Sequence, residues 1–528
     1  MTEMFVIFFQ LPFKKSVYKI TSINGEIRKG KNIALPITDI SITINLWDYL
    51  SNIDKPYNLF NTLFDLNSAR RLLEGKPRGS YQKNNEPWTG IKILGRSFNN
   101  SKLFGKIKSI EESKYSTFVE WEEKLPANWE IDLITSFKKE YNNIVLELKK
   151  HSLYDNFVNI EMRLLVGFIK ASDRGIKLNE EKLVARCLEL DRKYYQTVRK
   201  LEIDYNYIVS DFRSVSFESI KEYVQDFDEA DFSKKYIWDS IELHRNVNPF
   251  LDLLYIENCT KRDLSELLRM TTGISDRCKL QYDIIGTVSG RISITRPGIQ
   301  YLKRTSRDIF VPHEGNQFIY ADYSQFEPGI LAYLSEDLNL RKAYVGGDLY
   351  SNLASVIGAG CTRDIAKKMF LSYIYGMNIN NIKKNIIKSF GESAGDSIES
   401  FLNEFPKVLK WKNSVVEKSF MDKMAIGLTG YVRFFSEEDH KSEIARWAPN
   451  HVIQSTASGI FKNALVKYLD ITSGGKILVP MHDAILIEVE SEIYENEKKN
   501  IYTCMVESFE AICPGINCRV HFDNFSPE

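Results

Sequence analysis

The sequence predicts an α/β protein of two to four subdomains, and three observations lead there. At 528 residues the chain exceeds the ~250–300 residues at which single hydrophobic cores stop growing. Strand-like runs at Gln317–Ala321, Lys476–Val479 and Ile485–Val489 are separated by a helical block over about 362–425, so one sheet must be assembled from distant segments. Ahead of them, Ile176–Asn248 contains neither glycine nor proline, which is the texture of a mostly helical region.

Taken in order, residues 1–130 carry proline and glycine at intervals and read as a mixed α/β region. The apolar run Met4–Phe9 has no basic flank and Glu3 just before it, so it reads as a buried strand rather than a signal peptide. Ile23-Asn24-Gly25 is a hairpin signal between the alternating segments Ser16–Ile23 and Glu26–Ile33. Residues 150–270 read as a helical arm. Within it Glu180–Leu201 has apolar residues at helical spacing, and Arg192, Lys193, Arg199 and Lys200 form a basic face. An ordinary bundle with a solvated charged face fits that stretch equally well.

Composition narrows the class. Apolar residues make up 43% and charged residues 27%, which excludes global disorder. Lys+Arg and Asp+Glu both number 70, so the net charge is zero and a nucleic-acid partner must be argued from local clusters. Seven cysteines, an odd number with no C-x-x-C pair, favour neither a disulfide framework nor a zinc ribbon. The expectation is a reduced, intracellular, cytoplasmic setting. No apolar stretch approaches the ~20 residues needed to cross a bilayer, so no membrane association is expected.

Four constellations carry chemistry. In FIYADYSQFEPGILAYL an apolar strand delivers Asp322 at its end, where a carboxylate makes a well-fixed metal ligand; such an acid is also an ordinary turn or helix-cap residue. In VPMHDAILIEV two strand-like runs flank His482-Asp483, a hairpin with a carboxylate at its tip, or a turn that merely satisfies backbone groups. If adjacent strands bring Asp322 and Asp483 together, the two could hold a pair of Mg²⁺ ions for in-line displacement at phosphorus. In TRDIAKKMFLSYIYGMN, Thr362 is an N-cap candidate, and Arg363, Lys367, Leu371 and Tyr375 recur every four residues. They form a stripe about 18 Å long, cationic then aromatic, suited to a nucleoside triphosphate or simply to solvent. Finally, Ile284–Arg307 holds Arg291, Arg296, Lys303, Arg304 and Arg307 without an acid, and suits phosphate-backbone contacts or a plain basic loop.

In this order the set resembles the family A DNA polymerases, the group of bacterial DNA polymerase I and its phage relatives. DYSQFE at 322–327 is similar to the family's motif A, Arg363-x3-Lys367-x7-Tyr375-Gly376 to motif B, and His482-Asp483 to motif C. SGRIS at 289–293 with Gln300, and Arg446-x3-Asn450-x3-Gln454, add to the match, which covers about residues 150–528. The resemblance implies a right-hand polymerase fold, with a thumb at 150–265, palm at 266–345 and 436–528, and fingers at 346–435. It implies a template-directed DNA polymerase of replication or repair that adds dNTPs to a primer–template. The chain would act as a monomer, with replication accessory proteins as further partners. Asp322 and Asp483, with the carbonyl of Tyr323, would bind two Mg²⁺ ions. Arg363 and Lys367 would hold the triphosphate, Lys367 also protonating the leaving group. Glu327 against Tyr375 would exclude a ribose 2′-hydroxyl, and Gln325, Tyr350 and Leu371 would complete the nucleotide pocket. Arg291, Gln300, Arg446, Asn450, Gln454 and His482 would face the DNA.

Several positions depart from the family pattern. Leu371 stands where Phe or Tyr is usual, Ala484 where Glu is frequent, Tyr350 where a His often sits, and Pro328-Gly329 where Leu-Arg is usual. Family members often carry a 3′–5′ exonuclease ahead of the polymerase, with an Asp-x-Glu pair on its first strand. Residues 1–149 contain no Asp-x-Glu, so the expectation there is a degenerate exonuclease-like or unrelated α/β scaffold without proofreading. Two other readings stand beside the main one: a single-subunit RNA polymerase, and a catalytically inactive protein that only binds primed DNA.

Overall fold

The structure, a computed structural model, describes residues 129–526 apart from 210–214, 230–231, 233–236, 272–275, 359 and 436–439. Ahead of these it describes 3–10, 17–23, 26–30, 38–43, 60–75, 107–113 and 116–121.

The N-terminal unit is built on strands β1 (Glu3–Gln10), β2 (Val17–Ile23), β3 (Glu26–Gly30), β4 (Thr38–Thr43) and β5 (Phe60–Asp65), in the order β3-β2-β1-β4-β5. The apolar run at the start of the chain is its central strand. β2 and β3 pair antiparallel with Ile23 opposite Glu26, the register a two-residue hairpin requires; the Asn24-Gly25 turn lies outside the described residues. β5 leads into helix α1 (Leu66–Glu74), where Asp65 accepts a hydrogen bond from the amide of Asn67 and Gly75 closes the other end at φ +51°. Leu66, Ala69 and Leu72 recur every three residues and are buried. Phe5, Phe64, Phe137, Tyr141 and Phe157 interlock edge to face at 5.0–5.5 Å, tying this sheet to the helices that follow.

Within the stretch expected as one arm, the helix Met162–Arg174 packs on β5 and the main sheet. The arm itself is α2 (Glu180–Tyr205) lying along α3 (Pro249–Met270). Asn179 caps α2, Asn248 caps α3, and Pro249 occupies the first turn, where its missing N–H has no intrahelical partner to lose. Leu201, Tyr207, Ile220, Phe250 and Leu254 form a separate small core at the tip of the arm. Arg192, Lys193, Arg199 and Lys200 are exposed on α2.

The main sheet joins β6 (Asn316–Tyr323), β7 (Lys476–Met481), β8 (Ala484–Glu490) and β9 (Val520–Asp523) in the order β7-β8-β6-β9, antiparallel throughout. Between β6 and β7 run the helices α4 (Phe326–Ser335), α5 (Leu349–Ile357), α6 (Arg363–Ile374), α7 (Pro406–Asp422) and the long α8 (Lys441–Ile471). Helix α9 (Tyr494–Ile512) packs against α8 and β6.

Where α8 meets the turn ahead of the helix Met162–Arg174 lies a buried ionic group. Lys462 of α8 donates to both oxygens of Glu161 at 2.8 Å, and both side chains are 0% exposed. The hydroxyl of Tyr431 also donates to Glu161. Burial lowers the pKa of Lys462, and Glu161 opposes that shift. Lys462→Met should therefore lower stability by about 3–5 kcal/mol, because it leaves a carboxylate buried without its counter-charge. A urea unfolding series reads this directly. Recovery in the double variant Glu161→Leu/Lys462→Met is expected, and an undiminished loss there would show that packing rather than charge dominates.

Candidate active site

The central feature follows from strand register. Along β6 Ile319, Ala321 and Tyr323 are buried on one face, so the period of two turns Asp322 to the other. β6 pairs with β8 so that Asp322 stands opposite Ala484, the neighbour of Asp483, and the amide of Tyr323 donates to the carbonyl of Asp483 at 3.4 Å. The two acids, remote in sequence, thus sit side by side at one end of the sheet. His482 takes φ +59° at the hairpin tip, which tightens the turn that presents Asp483. Tyr323 is anchored from the opposite side: its ring stacks on Phe326 at 4.0 Å, and its hydroxyl donates to the carbonyl of Met505 at 2.7 Å.

The electrostatics of the pair are those of a cation site. Burial, with the nearby charge of Asp483, pushes Asp322 up to about 7, while Lys367 opposes the shift. Burial also raises Asp483, against the pull of Arg291 and Lys367. Oδ1 of Asp322 is buried without a hydrogen-bond partner, and Oδ2 lies 3.7 Å from Nε2 of His521 on β9. An orphaned carboxylate oxygen beside a second carboxylate fits a hard divalent cation. Among the described residues no three His, Cys, Asp or Glu side chains converge on such a point, and Ala484 is buried where a third acid would stand. Mg²⁺ is compatible with so sparse a set, because it retains waters and substrate oxygens in its shell.

This electrostatic arrangement has a pH signature. An unfolded Asp ionises near about 4, so between about 4 and 7 the folded protein holds a proton that the unfolded chain has released. Stability from this group is complete below that window and is lost as pH rises through 7. Without divalent ions, Asp322→Asn should flatten the slope and stabilise the protein at pH 8 by about 1–3 kcal/mol. Thermal melts across pH 4–8 in chelator measure it; a variant no more stable than wild type at pH 8 would contradict the assignment.

The next strand-to-helix turn supplies Glu327. Gln325 adopts φ +52°, and its side chain bridges Gly347 O and the amide of Leu349 at 3.1 and 2.9 Å, capping α5 rather than reaching the cleft. Glu327 is buried between two donors: Tyr375 at 2.5 Å and Arg291 at 2.6 Å. Arg291, expected against DNA, is thus engaged inside the protein. Gln300 is likewise occupied: it donates to the carbonyls of Ile292 and Pro480 and accepts from the amide of Ile294, so its amide clamps backbone.

Helix α6 carries the cationic stripe. Thr362 caps it by accepting from the amide of Ile365. Arg363 is paired with Asp348 at 2.6 Å and lies over the ring of Tyr350, whereas Lys367 is exposed and makes no ion pair among the described residues. Tyr350 is buried, its ring under both cations. Leu371 is half-buried between Lys367 and Tyr375. Asp348 escaped the sequence reading, although Gly-Gly-Asp-Leu is an N-cap signal and Asp348 does cap α5. Lys412 of α7 also escaped it: pushed down to about 8 by burial, it donates to the carbonyl of Tyr373 near the end of α6. Gly376 then passes α8 so closely, at φ +97°, that a Cβ would meet Arg446 O at 2.8 Å.

On α8, Arg446, Asn450 and Gln454 fall four residues apart on one face. Gln454 approaches Tyr375, Asn450 Oδ1 is buried without a partner, and Arg446 is exposed. His482 stands at the hairpin tip, where desolvation and then Arg291 push its imidazole pKa down. In the basic stretch Arg304 makes an exposed pair with Asp523 and Arg307 lies over Phe525.

Comparison with known proteins gives the family and the fold. Residues 217–522 match the model of DNA polymerase family A. The chain is 26% identical over 419 residues to DNA polymerase I of Borreliella burgdorferi, covering 72% of this chain and 46% of that protein. It is 30% identical over 235 residues to DNA polymerase theta of Caenorhabditis elegans, covering 42% and 14%. The chain spans about half the length of the bacterial relatives it matches. Among solved structures it is similar to the POL domain of Pol1 from M. smegmatis, in complex with DNA primer-template and dNTP, with a TM-score of 0.75 at 18% identity over 99% of this chain and 94% of that one. No helix of the described residues is long and apolar enough to cross a membrane.

Proposed function

This chain belongs to DNA polymerase family A and has its right-hand fold, and from that premise we propose that it extends a DNA primer on a template, in replication or repair. The observation that carries the proposal is the β6–β8 register, which brings Asp322 and Asp483 together beside Lys367 and the Glu327–Tyr375 pair. Bound at Asp322, Asp483 and the carbonyl of Tyr323, two Mg²⁺ ions would supply a lowered pKa at the primer 3′-hydroxyl and charge neutralisation at the departing pyrophosphate. The 3′-oxygen attacks the α-phosphorus, its proton passes to solvent water, and the bond from the α-phosphorus to the oxygen bridging to the β-phosphate breaks, releasing pyrophosphate. Lys367, which makes no ion pair among the described residues, lies against the triphosphate and delivers a proton to the leaving group. Arg363 reaches the phosphates while Asp348 and Tyr350 fix its guanidinium. Tyr375 and Leu371 take the base and sugar, and Glu327 closes the space a 2′-hydroxyl would need. Arg446, Asn450, Gln454 and His482 face the primer–template, where shape rather than sequence must be read.

The N-terminal unit contributes no proofreading in this proposal. Its Asp-x-Glu pair is missing, and Asp65 serves as the cap of α1, bonded to Asn67 and Ser68. The test is primer extension by the purified chain with Mg²⁺, using dNTPs or NTPs and a matched or mismatched 3′ end. Extension with dNTPs and persistence of the mismatched end are expected. A preference for NTPs overturns the DNA reading, and removal of the mismatched nucleotide overturns the absence of proofreading.

A further inference from the structure

The loop that presents Arg291 is held at both ends by groups outside the nucleotide site. At its root, Arg71 of α1 donates to Asp283 Oδ1 and Oδ2 at 2.9 and 2.8 Å and to the carbonyl of Ile285. Asp283 Oδ1 also accepts from the amide of Ile285 at 3.1 Å. The Arg71 and Asp283 side chains are only 10% and 12% exposed, so this fork is shielded from water and salt. From there the chain folds tightly on itself: Gly286 N donates to Arg291 O, and Gly290 N to Thr287 O. At its tip Gly290, φ +79°, lies on the ring of Tyr431, where a Cβ would come within 2.5 Å. Tyr431 is itself bonded to the buried Glu161–Lys462 pair. The loop therefore ends in an arginine aimed at Glu327 with little freedom to drift.

We propose that Arg71 is a positioning residue for sugar selection: through Asp283 and Ile285 it sets the loop that places Arg291 on Glu327, which makes the N-terminal unit part of the frame of the nucleotide site. This rests on reading Glu327 and Tyr375 as the sugar gate. Nothing in the reaction requires a contact between α1 and substrate; the influence runs through one rigid loop.

The experiment compares single-nucleotide extension by the full chain with a dNTP and its matching NTP, for wild type, Arg71→Ala, Arg71→Lys, Ile42→Ala and Glu327→Ala. Ile42 is fully buried in β4, far from the loop in sequence, and serves as a control for destabilisation of the N-terminal unit. Arg71→Ala should lower the dNTP/NTP ratio of kcat/KM by about fivefold or more, most of it through a raised KM for the dNTP. Arg71→Lys, able to meet one carboxylate oxygen but not two, should fall between, and carries the test if Arg71→Ala does not fold. Ile42→Ala should keep the wild-type ratio even if its melting temperature falls as far. A wild-type ratio in both Arg71 variants, or an equal loss in Ile42→Ala, overturns the proposal. If Glu327→Ala leaves the ratio unchanged, the gate reading falls and takes this inference with it. If Glu327→Ala shifts it and Arg71 does not, the inference alone falls.

Discussion

Asp483→Ala should reduce primer extension by at least about a thousandfold, since losing one of two carboxylates that stabilise developing charge removes several kcal/mol of transition-state stabilisation. Asp483 lies on a hairpin whose strands are paired from Lys476 to Glu488, so the substitution leaves the sheet intact. Binding of primer–template should stay within about threefold of wild type, because phosphate and groove contacts come from other residues. The folded apo-protein should be no less stable, because burial raises the pKa of Asp483 and its charge raises that of Asp322, so the change relieves both costs. Single-turnover extension and a fluorescence titration with labelled duplex separate these outcomes. Substantial incorporation by Asp483→Ala would remove this residue from the metal site.

Glu327→Ala should raise ribonucleotide incorporation relative to deoxynucleotide by about ten- to a hundredfold. The residue is 7% exposed and bridges Arg291 and Tyr375, so its removal opens a small space beside the expected sugar and releases both donors. Those donors can then satisfy themselves on a 2′-hydroxyl, which turns an excluded group into an accepted one. Glu327→Gln retains the volume and should keep most of the discrimination, although it weakens the link to Arg291. Unchanged sugar selection in Glu327→Ala would argue that the tyrosine alone, or another contact, sets the barrier. Deoxynucleotide kcat is expected to fall as well, because Tyr375 loses its orienting partner.

Much of the local structure was legible. The alternation Ile319, Ala321, Tyr323 marks a strand with Asp322 on its other face, and Thr362 marks the start of α6 by its hydroxyl. Asn24-Gly25 between alternating runs gave the β2–β3 register. These signals are short-range: one residue's chemistry acting on backbone groups within a turn or a pleat. The candidate site residues could be singled out one by one for the same reason, since strand ends and helix faces can be read from spacing.

Their engagements were not. Arg291 and Gln300 both belong to a stretch that reads as a basic, glycine-containing loop for DNA, yet one is held by Glu327 and the other by Ile292, Ile294 and Pro480. Arg363 is paired with Asp348, and Gln325 with the start of α5. No local pattern distinguishes a cation that waits for phosphate from one already satisfied inside the fold.

By itself, the sequence determined which residues stand at strand ends, on helix faces and in tight turns, because period, capping and φ preference are properties of a few consecutive residues. Only the tertiary structure decided that Asp322 and Asp483 become neighbours, that Arg363 pairs with Asp348 while Lys367 makes no ion pair among the described residues, and that Arg71 reaches Asp283. Those outcomes depend on sheet register and on burial by distant segments, where a side chain's partner is whichever polar group the packing leaves beside it.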